Sequence, residues 1–492
     1  MRTYFPTLAL LLLATAGCTV GPTYQTPELP VPPTFAGAQP APPPGVSIDP
    51  AHWWSSFGDA KLDELVARAL KDNPDIAIAA SRVRQARLQE IAAGAVGKPT
   101  VDATGNVTHV EFSKNAGFSS LAKQFSGGGS SAGNGSAGGI ALPGSGITTF
   151  ALGFDASWEL DLFGGGRRGV EAARARGEAA VWNQRDAAIT LAAEVAQAYF
   201  ALRLDQEQIA VIASEVDRQN AALRIAGNIA KVGLAPQIDV PRQRSSITTL
   251  QARLQPVRAD AQLRIHSLGI LTGSAPEVLL ADMQAPVAPF VATPIVPAGL
   301  PSDLLRRRPD VRAAERQLGA ATADIGVAVA DLYPKFSLTG MASLLSTSLA
   351  TLFSRDSIQA QGTSAISFPL LDWGRRKATV GMRKEDRVQA YSTYQKTVLT
   401  ALRDVEDALT RVDAERARNA ALRRAVEDAG RVARSVAAQY RTGFIAQDSL
   451  LNAQTQELNA TEQLAGSNAQ LRQDTVSLFK AMGGGWELAD GH

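Results

Sequence analysis

Two glycine-rich motifs in the first third of the chain match signatures of catalysis or phosphate binding. Residues 129–133 (GSSAG) fit the G-x-S-x-G pattern of serine hydrolases, and residues 133–138 (GNGSAG) fit the G-x-G-x-x-G pattern of dinucleotide-binding proteins. Both lie in low-complexity sequence, without the preceding strand and following helix on which their chemistry depends. The sequence therefore predicts neither a hydrolase nor a nucleotide site.

The residue types that bind metals or form disulfides are few and dispersed. Cys18 is the single cysteine, so no internal disulfide and no C-x-x-C pair can form. The histidines lie far apart and form no H-E-x-x-H pair: His52, His109, His266 and His492. The charges are balanced, with 49 Lys+Arg against 47 Asp+Glu, which gives no electrostatic basis for binding nucleic acid. We expect no enzyme, no metal, no cofactor and no nucleic-acid partner.

Cys18 has surroundings that indicate a covalent modification. Arg2 and the apolar stretch 8–16 precede Thr15-Ala16-Gly17-Cys18, an arrangement typical of a secretory signal that ends in a bacterial lipobox. Cleavage there removes residues 1–17 and leaves an acylated Cys18 as a lipid anchor, for example with palmitate. Thr19 stands where an Asp would favour retention in the inner membrane, so we expect the outer membrane. The alternative is an ordinary signal peptide with an incidental cysteine.

Residues 18–60 read as a proline-rich tether that follows the lipid anchor. Trp53 and Trp54, at its end, are expected to pack the tether against the equatorial region or to anchor it at an interface, rather than to bind a ligand. No apolar run approaches the roughly 18–20 residues of a membrane-spanning helix.

The rest of the chain is an internal duplication. Residues of the first repeat recur at an offset of 235, as Pro99 does at Pro334, and later at an offset of 210, as Gly233 does at Gly443. The difference of 25 corresponds to a Gly/Ser-rich insertion around 126–146. We assign the first repeat to 61–273, an equatorial linker to 274–301, the second repeat to 302–483 and a C-terminal tail to 484–492.

Each repeat is predicted to contain a β-hairpin and a long helix, flanked by a shorter helix on each side. In the first repeat the shorter helices are expected over about 61–97 and 237–273. The hairpins cover 101–160 and 335–370, where apolar and polar residues alternate with period 2. The long helices cover 167–232 and 375–442 and carry apolar residues at sustained heptad spacing. Four strands cannot close a barrel, and open edges in lipid leave backbone groups unpaired, so closure must come from other copies. Two copies give eight strands and a filled interior, whereas three give twelve and a usable pore.

These residues resemble the TolC-like outer-membrane efflux proteins, in the lipoprotein branch of the NodT/OprM type. The resemblance covers almost the whole mature chain and rests on a set of short motifs: GCTVGP at 17–22, WWSSF at 53–57, NPD at 73–75, WELDLFG at 158–164, LRRRPD at 305–310, LYP at 332–334 and FPLLDWGRR at 368–376.

The resemblance implies an α+β membrane protein that assembles as a homotrimer. Its twelve-stranded outer-membrane β-barrel is continuous with a twelve-helix periplasmic coiled-coil α-barrel, and each protomer has four strands, two long helices and four shorter ones. It further implies a periplasmic adaptor, an inner-membrane pump of the resistance–nodulation–division type, and passive, gated export of drugs or other small molecules, hence antibiotic resistance.

The same resemblance places a gate and the adaptor contacts at the two periplasmic turns. Asp239, Asn452, Tyr440 and Asp448 match the gate region, and three copies of Asp239 around one axis form a cation-attracting ring. Many relatives carry Asp where this chain has Asn452, which removes three charges from that gate. The tip residues that contact the adaptor are Gly233, Leu234, Ala235, Gly443, Phe444 and Ile445.

Two other functions stay open on the sequence. One is a channel of the same build that serves type I protein secretion with an ATP-driven transporter. The other is a periplasmic coiled-coil scaffold without a pore, although a lipoyl-like β-domain of the adaptor kind is absent from the hairpins.

Overall fold

The protein is described by a computed structural model over residues 19–37, 49–111, 147–233, 236–284, 293–294, 296, 307–442 and 444–484. It divides into two compact units. The sheet unit comprises Met1–Tyr24, Gln89–Ala173 and Ala321–Asp386, and the helical unit comprises Gln25–Leu88, Arg174–Ala320 and Arg387–His492. The predicted sites Cys18, Leu234, Ala235 and Gly443 lie outside the described residues, as do the whole 126–146 insertion and all of the tail after residue 484.

The sheet unit is built around one antiparallel sheet. Its strands are β1 (Thr100–Val110), β2 (Ile147–Leu160), β3 (Lys335–Ser346) and β4 (Ile358–Ser367). They follow one another in the order β1-β2-β3-β4, so β1 and β4 form the two edges. The second hairpin is shorter than expected, because β4 ends at Ser367 and residues 368–371 continue without strand pairing.

The two faces of the sheet differ in polarity, as the alternation predicts. Leu152, Phe154 and Trp158 share one face and are 46%, 61% and 38% exposed in the single chain. On the opposite face the Thr104 hydroxyl donates to the Asp155 carboxylate at 2.8 Å. Large exposed apolar side chains on one face of a sheet indicate a surface that meets something other than water.

Seven α-helices of more than one turn occur in the described residues: α1 (Ala60–Asp72), α2 (Pro74–Ala95), α3 (Gly165–Lys231), α4 (Asp239–Leu271), α5 (Pro309–Ala330), α6 (Arg375–Arg441) and α7 (Gln447–Ala481). The prediction of one helix over 61–97 is wrong, because the chain is extended at Asn73 and Pro74 begins a new helix. The side-chain amide of Asn73 stabilises this break. Its Nδ2 donates to the backbone carbonyl of Leu271 at 2.9 Å, and its Oδ1 accepts from the backbone N–H of Asp75 at 2.7 Å.

The heptad seam of α6 is buried. Its residues Val398, Val405 and Val412 are 2%, 0% and 1% exposed, and the polar Asn419 continues the seam at 4%. The Asn419 amide donates to Ser467 and Asn468 of α7 at 3.2 and 2.8 Å. A buried amide at a seam position selects one register between neighbouring helices, because every other register leaves it unsatisfied.

One helical segment within Gly165–Asn228 is long and apolar enough to cross a membrane by length and composition, although no such run was expected. More than half of it is buried inside the protein. It includes Val195, Phe200 and Leu202, which belong to the main core of the helical unit. This segment is therefore a packed core helix.

The aromatic centre of that core comes from residues just before α1. The 3-10 helix Pro50–Phe57 buries Trp53, Trp54 and Phe57 at 0%, 3% and 2% exposure. Trp53 stacks on Phe479 with ring centroids 5.1 Å apart. The packing role expected for the two tryptophans agrees with these contacts.

Two segments expected to be linkers are packed against the helical unit. Phe35 is 3% exposed, and the Glu406 carboxylate accepts from the backbone amides of Ala36 and Gly37 at 2.7 and 3.1 Å. Within 274–301, Leu279 and Met283 lie in the main core. Both segments stabilise the unit because they bury apolar side chains and pair their backbone donors.

We expect Trp53→Ala to destabilise the helical unit by about 3–5 kcal/mol, because it removes a fully buried indole and leaves a cavity. The measurement is the unfolding midpoint in detergent, monitored by the circular dichroism signal of the helices. Leu263→Ala is the control, since Leu263 of α4 is 62% exposed. Equal midpoints for the two variants contradict the central role of Trp53.

Candidate functional site

The first of the two predicted tip turns joins α3 to α4. Gly233 ends α3 with φ of 75°, and its amide donates to the Ala230 carbonyl at 3.1 Å. A left-handed conformation at this position favours glycine, because a side chain would crowd the following carbonyl. The flanking Val232 and Ile238 are 68% and 54% exposed. The turn thus presents apolar side chains to its surroundings.

The second turn joins α6 to α7 and has the same character. The Phe444 amide donates to the Gln439 carbonyl at 3.0 Å, five residues back, which is the reach of a Schellman helix end. The Phe444 ring is 84% exposed, whereas Ile445 is half-buried. The predicted contact residue Phe444 is therefore available to a partner.

The first turns of α4 and α7 are joined by an ion pair between Arg242 and Asp448. Nη1 of Arg242 lies 3.2 Å from each carboxylate oxygen of Asp448. The two side chains are 49% and 61% exposed, so the pair contributes at most about 1 kcal/mol. Asp448 is also placed well in the first turn of its helix, where the macrodipole favours a negative charge.

A buried amide network lies directly behind this ion pair. Nε2 of Gln447 donates to Oε1 of Gln243 at 2.7 Å, and Nε2 of Gln243 donates to the Gln219 carbonyl at 3.2 Å. Gln219 in turn donates to Glu215 at 2.8 Å. Because Gln243 and Gln447 are 0% and 4% exposed, these hydrogen bonds fix α3, α4 and α7 in one register at the turns.

Asp239 and Tyr440 lie near each other across α4 and α6. Burial raises the pKa of the Tyr440 hydroxyl, and the negative charge of Asp239 raises it further. Asp239 makes no ion pair among the residues that the structure describes. Its charge therefore has no cationic partner in the described part of the chain.

Asn452 lies one helical turn after Asp448, on the same face of α7, and is exposed. The turn regions thus combine one neutralised carboxylate, one carboxylate without a cationic partner and one amide. Arg242, Gln243 and Gln447 were not predicted. Their only sequence signal is a set of polar residues close to the turns, which does not reveal which helices will meet.

The sequence of this chain matches the family model described as "Outer membrane efflux protein" over residues 65–274 and 300–484. It is 29% identical to Nodulation protein T of Rhizobium leguminosarum bv. viciae, across 99% of this chain and 94% of that protein. It is 30% identical to the Outer membrane protein OprJ of Pseudomonas aeruginosa, across 98% of this chain and 96% of that protein.

Solved structures show the same fold. The outer-membrane channel OprN superposes with a TM-score of 0.82 at 30% identity, covering 95% of this chain and 100% of that one. The CmeC outer membrane channel of Campylobacter jejuni, at 22% identity, shares the fold with a TM-score of 0.84 over 96% of each chain. Together with the paired turns and the one-sided apolar sheet, these matches show that the chain belongs to the outer membrane efflux protein family, whose members are channels rather than enzymes.

Proposed function

We propose that three copies of the chain form this outer-membrane efflux channel, each contributing four strands to a twelve-stranded barrel. The observation that supports the proposal is the four-stranded sheet, which has two free edges and an apolar face exposed in the single chain. Free edges in lipid cost several kcal/mol for each unpaired backbone group, so the sheet needs partners on both sides. Three copies give a barrel wide enough to hold water.

The same count gives a tunnel of twelve helical columns in the periplasm, with α3 and α6 as the two long columns of each copy. The buried seam residues of α6 from Val398 to Asn419 support side-by-side packing of helices over this part of the helix. The channel is passive, and the energy for export comes from a pump of the resistance–nodulation–division type in the inner membrane.

The two turns are proposed as the docking site of a periplasmic adaptor. Val232, Ile238 and Phe444 are more than half exposed there, and exposed apolar side chains on neighbouring turns suit a protein partner. The proposal includes Gly233, Leu234, Ala235, Gly443 and Ile445, because they belong to the same two turns in the sequence.

Efflux of small molecules is favoured over type I protein secretion. Relatives over nearly the whole length include proteins named for toluene efflux, for pyoverdine export and for cation efflux. These names cover chemically unrelated small cargos, which fits a conduit whose selectivity lies in its pump. A deletion strain that becomes sensitive to antibiotics, with protein secretion intact, supports the efflux function.

Asp239, Tyr440, Asp448 and Asn452 are proposed as the periplasmic gate. Three carboxylates of Asp239 near one axis repel one another and attract cations in a narrow pore. The pair Arg242–Asp448 ties α4 to α7 at the same level and offsets the second acidic charge.

The channel assignment is tested with the purified protein in detergent and in planar bilayers. A trimer by light scattering, together with ion conductance across the bilayer, is the expected result. A water-soluble monomer without conductance contradicts it and favours the scaffold alternative.

Asp239→Ala should raise single-channel conductance and lower cation selectivity, because three negative charges leave the constriction at once. The measurement is bilayer conductance and reversal potential in a salt gradient. Asp217→Ala is the matched control, since Asp217 is an exposed carboxylate of α3 outside the turns. Unchanged conductance and selectivity in the first variant remove Asp239 from the gate.

Arg242→Ala and Asp448→Ala should each increase antibiotic leakage and closed-state conductance. The double variant should add little to either, because both single changes break the same ion pair. The controls are Arg253→Ala and Glu462→Ala. These residues also form an ion pair between α4 and α7, with 2.7 Å between Nη2 of Arg253 and Oε2 of Glu462, but they lie several turns further along the helices. Equal effects at both pairs indicate general loosening of the helices rather than a gate.

Cys18→Ser should abolish lipidation and still leave trimer in the outer membrane, because the apolar face of the sheet holds the protein in lipid by itself. Incorporation of labelled palmitate reports the modification, and trimer in membrane fractions reports assembly. Thr19→Ser is the control that keeps the thiol. Persisting label in the Cys18→Ser protein places the modification elsewhere.

A further inference from the structure

The internal duplication extends to the hydrogen-bond register of the two hairpins. In the first, Thr100 pairs with Ser157 and Gly105 with Leu152. Moving each β1 residue by 235 and each β2 residue by 210 gives Lys335 with Ser367 and Gly340 with Gly362. Both are pairs in the second hairpin. The two offsets therefore relate the strands of the two hairpins residue by residue, despite the insertion between β1 and β2.

One junction between strands, called the β2–β3 seam below, has no equivalent junction within the chain. Strands β2 and β3 join the two repeats, with Asp155 opposite Met341 and Ala156 opposite Gly340. The equivalent seam must join the end of the second repeat, β4, to the start of a first repeat, β1. Within the sheet these are the two free edges, so that first repeat belongs to another copy.

We propose that β4 pairs with β1 of the next copy in the register obtained from the β2–β3 seam by the same offsets. Asp155 opposite Met341 becomes Ala365 opposite Asn106 of the next copy. Gly153 opposite Ser343, also a pair of that seam, becomes Thr363 opposite Thr108 of the next copy. This proposal rests on the trimeric channel proposed above and adds which residues meet at each of its three joints.

The polarity of the side chains supports this register independently. Val101 and Val107 of β1 lie on the apolar face and Ile366 of β4 lies on the same face, as the in-chain pairings show. The proposed register places Ile366 opposite Gly105, which belongs to that face as well. A slip of one residue would turn every apolar side chain of one strand toward the polar face. A slip of two residues would leave each side chain on its own face of the sheet, so only the two repeat offsets, 235 and 210, exclude it.

Residues that flank the strands in sequence support the same pairing of β4 with β1 of the next copy. Phe163, after β2, stacks on Tyr333, before β3, with ring centroids 4.6 Å apart and planes at 21°. The offsets convert this pair into Trp373 and Lys98 of the next copy. Trp373 is 92% exposed, and Lys98 is exposed as well. A lysine over an indole face is a favourable cation–π contact.

Trp373 has an unusual backbone conformation, although its side chain is exposed in the single chain. Its φ of 55° makes it the one non-glycine residue of the described chain with a positive φ. A bulky residue in this left-handed region is strained, because its Cβ comes close to the following carbonyl oxygen. A contact with the next copy gives the Trp373 ring a partner, as Tyr333 is for Phe163 in the first repeat.

Four cysteine substitutions test the register in a two-by-two design in the full-length protein. Ala365→Cys and Thr363→Cys on β4 are combined with Asn106→Cys and Thr108→Cys on β1. The matched combinations are 365 with 106 and 363 with 108, and the shifted ones are 365 with 108 and 363 with 106. Each substitution occurs in both classes, so poor folding of one variant affects matched and shifted pairs alike.

Directly opposed residues lie within disulfide range, whereas diagonal neighbours two residues along are about 7–8 Å apart. After mild oxidation of outer membranes, matched pairs should give covalent trimers, sensitive to reductant, at least about tenfold more than shifted pairs. Single-cysteine variants give the background from Cys18. Cross-linking that is stronger in either shifted pair, or equal in all four, overturns the register.

The two proposals fail in different ways. Light scattering of the unmodified protein decides whether a trimer exists, and the cross-links decide which residues meet. A trimer that cross-links only in the shifted pairs overturns the register and leaves the channel standing. Absence of a trimer overturns the channel itself, and the register with it.

The Trp373 contact has its own measurement. Trp373→Ala and Lys98→Ala should each lower the temperature at which the trimer dissociates in detergent, and the double variant should lower it no further than the stronger single change. Phe353→Ala is the control, because Phe353 is 74% exposed in the β3–β4 loop. Additive effects of Trp373→Ala and Lys98→Ala overturn the pairing of these two residues.

Discussion

Backbone hydrogen bonding at the edges of the sheet is the constraint on which the rest of the molecule depends. In water, the free N–H and C=O groups of β1 and β4 would be solvated. In hydrocarbon they must be paired within protein, since no solvent can replace the partner. A four-stranded sheet with an apolar face therefore cannot be a finished membrane structure, and the assembly follows from the need to pair these edges.

The duplication makes that assembly simple to specify. Each repeat supplies one hairpin with the same register, so we propose the joint between hairpins within the chain as the template for the joint between chains. The template is imperfect where the repeats differ. Phe163 stacks on Tyr333 inside the chain, whereas its equivalent Trp373 is exposed and is proposed to contact Lys98 of the next copy. A divergent pair of this kind distinguishes the joint between copies from the joint within a copy.

The turns of the helical unit, proposed above as the gate, combine two kinds of contact. The buried amides of Gln243 and Gln447 fix one register of the helices, and the exposed pair Arg242–Asp448 adds a contact of modest strength beside it. An exposed ion pair is weak enough to be broken by a docking partner. Asp239 has no ion-pair partner among the described residues, which fits the role in attracting cations that we propose for it.

Local patterns in the sequence determined the elements and their faces. Heptad spacing located α3 and α6, alternation identified the apolar face of β2, and Gly233 marked a turn, because these signals depend on residues close together in the chain. Asn73 broke a helix predicted as continuous, since its amide is held by the distant Leu271 carbonyl. The pairing of Arg242 with Asp448, the amide network behind it and the burial of Phe35 beside Glu406 were decided only by the tertiary structure. Each joins residues far apart in sequence, so it exists only after the helices have packed in one register.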